Sequence, residues 1–493
     1  MAFSTTPSEG ADRLRATSEG QTLNALGGND WIRSTFSGST LYGGLGHDRI
    51  TVTLAPPPVG ADFTGSAALF GGNGNDWLMT EVTGVLGDGQ DMEVAIQQSG
   101  GRGNDTLYVS ALAEGAPGIV GDYDIDLSGG AGDDDIWVEI DAGEALADIA
   151  VDAGLGADIV YIYAPAAGWE GGAAVQVDGG AGDDDVTAYS ASTDEIGDAT
   201  ASNILLGGEG NDRLEGHIGG NGGTNTLDGG EGDDVLIAIS EVGTEIGGTA
   251  VNSASGGDGD DTIELYGVAG GIWTNATHRA SGDEGDDIIT STTDTRSSES
   301  DGNNAAIADT RLDGGSGNDT LTATTIFAPG DAAEGGASLF GRTGNDILRV
   351  DGGVENVLNG GAGNDTITGG SGNDRIIGGS GADILRSGGG EDAFVYLWTT
   401  GIDLATRDTI RGFGFGDDVI DLSAIDANAN QRGNQAFTFG GGTGVGRAWV
   451  EDNATGTGSV IRANTGGAEQ LYINVEDGTG RDASDWTADD FLL

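Results

Sequence analysis

The stretch Gly360–Leu385, GGAGNDTITGGSGNDRIIGGSGADIL, sets three nine-residue units end to end, each of the form G-G-x-G-x-D-x-U-x with U a large apolar residue. Glycine pairs admit positive φ and let the backbone curl tightly, while the Asp at the sixth place and the freed carbonyls offer hard oxygen ligands. Calcium is the ion that suits such a loop. The apolar residue after the Asp, Ile367, Ile376 or Ile384, begins a short strand pointing inward, so each unit makes half a turn of a parallel solenoid.

Working outward, the same motif recurs through the chain. A shortened copy stands at Gly27-Gly28-Asn29-Asp30, a full one at Gly43–Asp48, and others begin at Gly71, Gly100, Gly129, Ala153, Gly179, Gly207, Gly229, Gly256, Gly282, Gly314 and Gly341. Most intervals lie near 27 residues rather than 9. Half-sites for one ion must lie one coil apart on the same edge, so one motif per coil supplies one metal edge and the opposite edge is irregular. Period-two alternation between motifs supports strands, and whether a coil holds two sheets or three is left open by spacing. Some copies are degenerate: Ala153 replaces the first Gly, and Asp283 and Arg342 the second. The segments Gly87–Asp91 and Gly219–Leu227 are poorer still, and such copies are expected to bind weakly or not at all.

Composition narrows the function. Glycine is abundant, at 96 of 493 residues, but no three-residue period exists, which excludes collagen. A net charge of −62 makes nucleic acid or an anionic membrane a poor partner and predicts a chain that stays expanded until divalent cations neutralise it. Cysteine is absent, and no stretch is apolar enough for a membrane helix. Met1–Gly20 lacks the apolar core of a secretory signal peptide, so export is expected by another route.

The three contiguous units resemble the calcium-binding nonapeptide of the RTX (repeats-in-toxin) exoproteins. The resemblance implies an all-β fold, a right-handed parallel β-roll or β-helix solenoid with GGxGxD turns, in which each calcium sits between successive turns. The ligands it implies are Asp48, Asp76, Asp105, Asp134, Asp158, Asp184, Asp212, Asp234, Asp261, Asp287, Asp319, Asp346, Asp365, Asp374, Asp383 and Asp392. Backbone carbonyls of Gly43, Gly71, Gly129, Gly179, Gly207, Gly229, Gly256, Gly314, Gly360, Gly369 and Gly378 would join them. Beyond Asp392 the segment Asp408–Phe413, the run Phe415–Asp426 and the ending Asp489–Leu493 are similar to the C-terminal module of serralysin-type exoproteins. That module caps the roll and carries an uncleaved type I secretion signal, which implies a Gram-negative source and an extracellular or cell-surface location. The organisation expected is a polar segment 1–20, a calcium-binding solenoid 21–395 and a cap and export module 396–493.

Catalytic patterns are weak. His47, His217 and His278 stand far apart with no HExxH, which disfavours a zinc protease, and no G-x-S-x-G elbow exists. Pairs such as Asp133-Asp134 carry little information among 81 acids. The expectation is no enzymatic activity. If the eighth residue of a motif points inward, the seventh and ninth point outward, and these hold Trp31, Trp77, Tyr108, Trp137 and Tyr161 in the first half. Such a stripe is either strand propensity, with rings covered by loops, or a contact surface for another subunit or a cell-surface polysaccharide. The favoured role is a secreted, calcium-folded structural protein that self-associates into a layer, filament or matrix. An adhesin or glycan-binding protein comes second and a polysaccharide-modifying enzyme third. Gly360–Leu385 is expected to dock on the cap.

Overall fold

The computed structural model describes residues 7–55, 62–86, 91–115, 120–141, 144–165, 172–192, 201–242, 248–269, 274–295, 307–327, 335–397, 406–454, 456–466, 470–476 and 482–493. Two compact units are present, one mainly Met1–Asp258 and the other mainly Ser300–Leu493. Among the described residues there is no α-helix, only strands and one 3₁₀ turn at Ala488–Asp490.

In the first unit each coil contributes a strand to each of two parallel sheets, which answers the question spacing left open. Sheet I holds strands that start just after a motif Asp, such as Arg49–Leu54, Trp77–Leu86, Thr106–Gly115 and Asp135–Asp141. Sheet II holds strands that run into the glycine pair, such as Ser39–Leu45, Phe63–Asn73, Met92–Arg102 and Val120–Ala131. Register is kept coil after coil: Trp77, Thr106 and Asp135 align in sheet I, and Gly72, Gly101 and Gly130 in sheet II. Alternating side chains explain the strands. Ile50, Val52 and Leu54 face Leu69, Val94 and Ile96 across a core that is fully buried, while their neighbours face solvent. Polar side chains that enter that core are paired: Gln98 donates to Thr80 Oγ1 at 3.0 Å, and in a ladder Asn203 donates to Asn225 Oδ1 at 2.9 Å and Asn225 to Asn252 Oδ1 at 2.9 Å, so each of these amides meets its image one coil on.

The second unit uses the same scheme with shorter coils. Ile347–Asp351, Thr366–Ser371 and Ile384–Gly389 belong to sheet I, and Val357–Ala362, Arg375–Ser380 and Ala393–Val395 to sheet II. At nine-residue spacing successive motifs therefore fall on opposite edges, as half a turn per unit implies, and the single metal edge of the longer coils gives way to two here. A correction concerns Ile384: Leu385 is the buried residue of that unit, and Ile384 is half-exposed, because Ile384 is the seventh residue of its motif and Leu385 the eighth. Parallel pairing also passes residue 395, since Ile384–Gly389 pairs with Asp408–Arg411 and Ala393–Val395 with Val419–Asp421. Gly360–Leu385 is thus continuous, through these pairings, with the first strands of the C-terminal segment.

The end of this unit is sealed by a change of pairing. Arg447–Asp452, Ser459–Asn464 and Gln470–Glu476 form an antiparallel meander whose last strand runs parallel to Asp408–Arg411, and Phe491–Leu492 adds to Val419–Asp421. Phe394, Phe413, Phe415, Trp486 and Phe491 pack as a plug, with Phe413 and Trp486 centroids 4.9 Å apart and Trp486 Nε1 donating to Ser459 Oγ at 3.1 Å.

Of the degenerate copies, the one at Gly87–Asp91 lies, except for Asp91, outside the described residues. Gly219–Leu227 is the end of strand Arg213–Gly220, a turn at Asn221 on the edge opposite the motifs and the first part of strand Gly222–Glu231, with Gly220 at φ 90 and Gly222 at φ 140. Asp283 and Arg342 occupy the left-handed place of their motifs at φ 73 and φ 78, where glycine normally stands. Arg342 offsets that strain by donating from Nε to Asp313 Oδ1 at 2.7 Å and lying over Phe340. At Gly130 no such relief exists: φ is 112, and a Cβ would stand 3.0 Å from the Gly101 carbonyl carbon. Gly130→Ala should cost about 1–3 kcal/mol in calcium-saturated denaturant melts. Gly389→Ala, where a Cβ meets nothing within 4 Å, should leave the midpoint unmoved.

Candidate calcium edges

The turn places the motif aspartates in ladders. In the first unit the backbone N–H of each Asp donates to Oδ1 of the Asp one coil on: Asp48 to Asp76, Asp76 to Asp105 and Asp184 to Asp212 at 2.7, 2.7 and 2.8 Å. Asp134, Asp158 and Asp234 continue the same ladder. In the second unit one ladder runs Asp261, Asp287, Asp319, Asp346, Asp365, Asp383. On the opposite edge Asp374 and Asp392 form another, entered from Asn356. The residues inferred from sequence are all present at equivalent turns.

Three acids beyond the ligands inferred from sequence join the ladders, one of them, Asp30, from the shortened copy already noted. Asp30 accepts from Asp12 N–H at 2.6 Å, Asp408 from Asp383 N–H at 3.0 Å and Asp418 from Asp392 N–H at 3.1 Å. Asp408 and Asp418 lack glycine motifs, but each is followed by the x-Ile step, in Asp408-Thr409-Ile410 and Asp418-Val419-Ile420, that also follows Asp365. That step was the available signal.

The second oxygen of each carboxylate matters most. Oδ2 of Asp48, Asp76, Asp105, Asp134, Asp158, Asp184 and Asp212 is buried with no hydrogen-bond partner, as is that of Asp287, Asp319, Asp346, Asp365 and Asp374. A carboxylate oxygen so placed costs several kcal/mol unless a cation meets it. Beside it lies a cradle that a methyl group would fill: a Cβ on Gly179 would stand 2.6 Å from Asp184 Oδ2 and 2.7 Å from the Gly207 carbonyl oxygen. Equivalent approaches bring in the carbonyls of Gly71, Gly129, Gly229, Gly256, Gly314, Gly360 and Gly378, and also those of Gly100, Ala153 and Ser387. Gly43, Gly179 and Gly369 hold the cradle position in their own turns. Among the described residues no place gathers three His, Cys, Asp or Glu side chains. The donor set is therefore one carboxylate per coil plus backbone carbonyls, all hard oxygen, which fits calcium and excludes a zinc cage.

Burial governs the acidity of these groups. It pushes the carboxyls of Asp48, Asp105, Asp134, Asp184, Asp319, Asp365 and Asp374 up to about 7, against a partial lowering by the hydrogen bond each accepts. Those of Asp76, Asp234, Asp287 and Asp392 rise to about 6 for the same reason. A bound cation supplies the positive charge that lets these acids ionise while buried.

The histidines do not converge. His47 replaces the Asn of the outer turn ladder, its Nδ1 accepting from Asn75 N–H at 2.7 Å. His278 is buried, with Nδ1 2.7 Å from Ser291 Oγ, and burial lowers its pKa to about 4. His217 stands 2.6 Å from Glu215 Oε1, and Arg213 pairs with the other oxygen, so the Glu215 carboxyl, raised by burial, is lowered overall by these two donors. Arg213, Glu215 and His217 share a face because they alternate along one strand, a period-two signal the sequence reading passed over.

The outward aromatics form two rows on sheet I rather than one stripe. Trp31 and Trp77 alternate with arginines in the seventh-position row. Tyr108, Trp137 and Tyr161 succeed one another in the ninth, and Tyr163 and Tyr189, not noted from sequence, continue two places further along. Trp137 meets Tyr161 tilted by 39° with centroids 5.0 Å apart, Tyr163 stacks on Tyr189 at 5.3 Å, and Trp137 is 44% exposed. Loops do not cover that ring.

The buried carboxylates set two expected outcomes. Asp184→Asn keeps an acceptor for the Asp158 N–H but removes the charge; it should raise stability in chelator and lower the number of calcium ions bound, read by calorimetric titration. In chelator, each Asp whose folded pKa is raised from 3.8 to about 7 binds more protons folded than unfolded between those values. Stability of the metal-free protein should therefore be full below about pH 4 and fall as pH rises through 7, whereas calcium affinity should rise over the same window. Melts at pH 4, 5.5 and 7.5 check both signs.

Comparison with known proteins agrees with this geometry. A family model described as Peptidase M10 serralysin C terminal matches residues 205–485, and one described as RTX calcium-binding nonapeptide repeat (4 copies) matches residues 24–52. No curated protein matches the chain in sequence. Among solved structures it is similar to the AlgE6R2 subunit of the Azotobacter vinelandii mannuronan C5-epimerase, at 20% identity over 36% of this chain and 90% of that one, with a TM-score of 0.22. It is also similar to the AlgE6R3 subunit, at 23% identity over 37% and 77%, with a TM-score of 0.15. Buried carboxylate oxygens set beside backbone carbonyls in turn after turn, from Asp48 to Asp212 and from Asp287 to Asp374, are the chemistry a calcium-binding nonapeptide repeat requires: the chain binds calcium through RTX repeats, is of the type I secreted kind, and belongs to the Peptidase M10 serralysin C-terminal family.

Proposed function

We propose that the protein is an extracellular structural element, folded by calcium after export and assembling with further copies of itself at the cell surface or in the surrounding matrix, without catalytic activity of its own. The observation that carries this reading is the extent of the repeat: within each unit the described residues go almost wholly to coils, turns and cap. Among the described residues, the network Arg213–Glu215–His217 spends its carboxylate on two donors, and the His278–Ser291 pair is closed off in the core.

The glycan-binding alternative has less support. A sugar packs on the face of an aromatic ring, but Trp137 and Tyr163 each have a neighbouring ring, Tyr161 and Tyr189, against one side, which leaves less ring surface for a ligand. If the rings staple coils together, Trp137→Ala should lower stability by roughly 1 kcal/mol and leave glycan-array signals unchanged.

With one carboxylate per coil in each site, calcium affinity should be that of extracellular modules, about 10⁻⁴–10⁻³ M. Far-UV circular dichroism should report a disordered chain in EGTA and a strand spectrum at millimolar calcium; a strand spectrum retained in EGTA at pH 7.5 defeats calcium-driven folding. Negative-stain microscopy of the calcium-loaded chain should then show sheets or fibres, and persistent monomers defeat the assembly role.

A further inference from the structure

Arginine supplies every basic charge of the chain except its three histidines, and the distribution is uneven. Arg13, Arg15, Arg33 and Arg49 all lie on the outward face of sheet I in the first coils, on strands Arg13–Arg15, Trp31–Ser34 and Arg49–Leu54. All four are exposed. In register the rows read Arg13, Trp31, Arg49, Trp77 and, beside it, Arg15, Arg33, Thr51, Met79. The Arg49 guanidinium stacks 3.8 Å over Trp77 and that of Arg13 4.7 Å over Trp31. In a chain with 81 acidic residues, none of the four has a carboxylate within ion-pair reach among the described residues. A guanidinium lying over a tryptophan ring and without a carboxylate of its own offers its N–H fork for bidentate capture of carboxylates.

The opposite face of the same unit carries the complement. On sheet II the outward positions of Met92–Arg102, Val120–Ala131 and Glu144–Leu155 hold Glu93, Asp122, Asp124, Asp126, Asp148 and Asp152, all exposed. Register sets like charges directly side by side, Glu93 against Asp122 and Asp124 against Asp148. Such pairs repel, and a cationic surface laid over them relieves the repulsion.

We propose that the Arg–Trp patch is a docking surface and that its occupant is the acidic sheet II face of a second copy of this chain. The inference rests on the assembly reading above and supplies its contact. Because the two surfaces point away from the core on opposite sheets, the contact is heterologous: each copy keeps one unsatisfied face of each sign, and association propagates from copy to copy as a filament or layer does. The contact is electrostatic at its rim and apolar under Trp31 and Trp77, so it weakens with salt.

The test uses the full calcium-loaded chain in sedimentation velocity, with circular dichroism to show that each variant folds. Arg15→Glu with Arg33→Glu makes the patch acidic without touching the two stacked guanidinia; Asp124→Arg with Asp126→Arg makes the acidic face basic. Each double variant alone should associate more weakly by roughly 100-fold or more, since like charges then meet. An equimolar mixture of the two should recover association, because each offers the face the other now needs. Folded variants that associate as the wild type does, or a mixture that stays monomeric, overturn this contact and leave assembly standing. A wild type that is monomeric at every calcium concentration overturns both readings. Retention of that monomer on a polyuronate column, lost in Arg15→Glu with Arg33→Glu, would then name an anionic polysaccharide as the occupant.

Discussion

The burial of one carboxylate oxygen per coil is the constraint on which the rest of the structure depends. Asp184 shows the geometry: Oδ1 is spent on the Asp158 N–H of the preceding coil, while Oδ2 is enclosed beside Gly179 and faces the Gly207 carbonyl. Repeated along an edge, this stacks charge at the spacing of parallel strands, which no protein could hold in ionised form without a counter-charge. Calcium answers the demand with hard oxygen coordination, and folding and metal binding become one equilibrium. The glycine requirement follows from the same crowding, because a side chain at Gly179 would occupy the space in which the cation meets its ligands.

Elsewhere the two-sheet coil is permissive. Outward positions carry arginine, tryptophan, aspartate or tyrosine without disturbing the core, since neighbouring coils ask of them only that they tolerate a like residue one strand away. That freedom lets the first coils of sheet I carry arginine and tryptophan outward while the outward side of sheet II in later coils of the unit is acidic. It also lets the turn opposite the motifs vary in length while the motif edge stays regular.

The secreted character and the architecture support one another. On the function proposed above, a chain with a net charge of −62 stays unfolded where calcium is scarce and gains its core where calcium is plentiful. The antiparallel meander and the Phe–Trp plug then close the end of the second unit, so that its apolar interior is not left open to solvent.

Much of this was legible in the residues. The G-G-x-G-x-D spacing determines a positive-φ turn followed by an inward apolar side chain, and its recurrence determines a solenoid, because a local motif needs no distant partner to be recognised. The motif aspartates could be named one by one for the same reason. Tertiary structure alone decided what depends on where coils land. Only stacking shows that Asp408 and Asp418 extend the ladders without a GGxGxD motif of their own. It also decided that Trp31 and Trp77 keep company with arginines while Trp137 stacks on Tyr161. Residues some 18 to 32 apart become neighbours through register, and register is a property of the whole coil, set by the core and the turn lengths together, which no single motif carries.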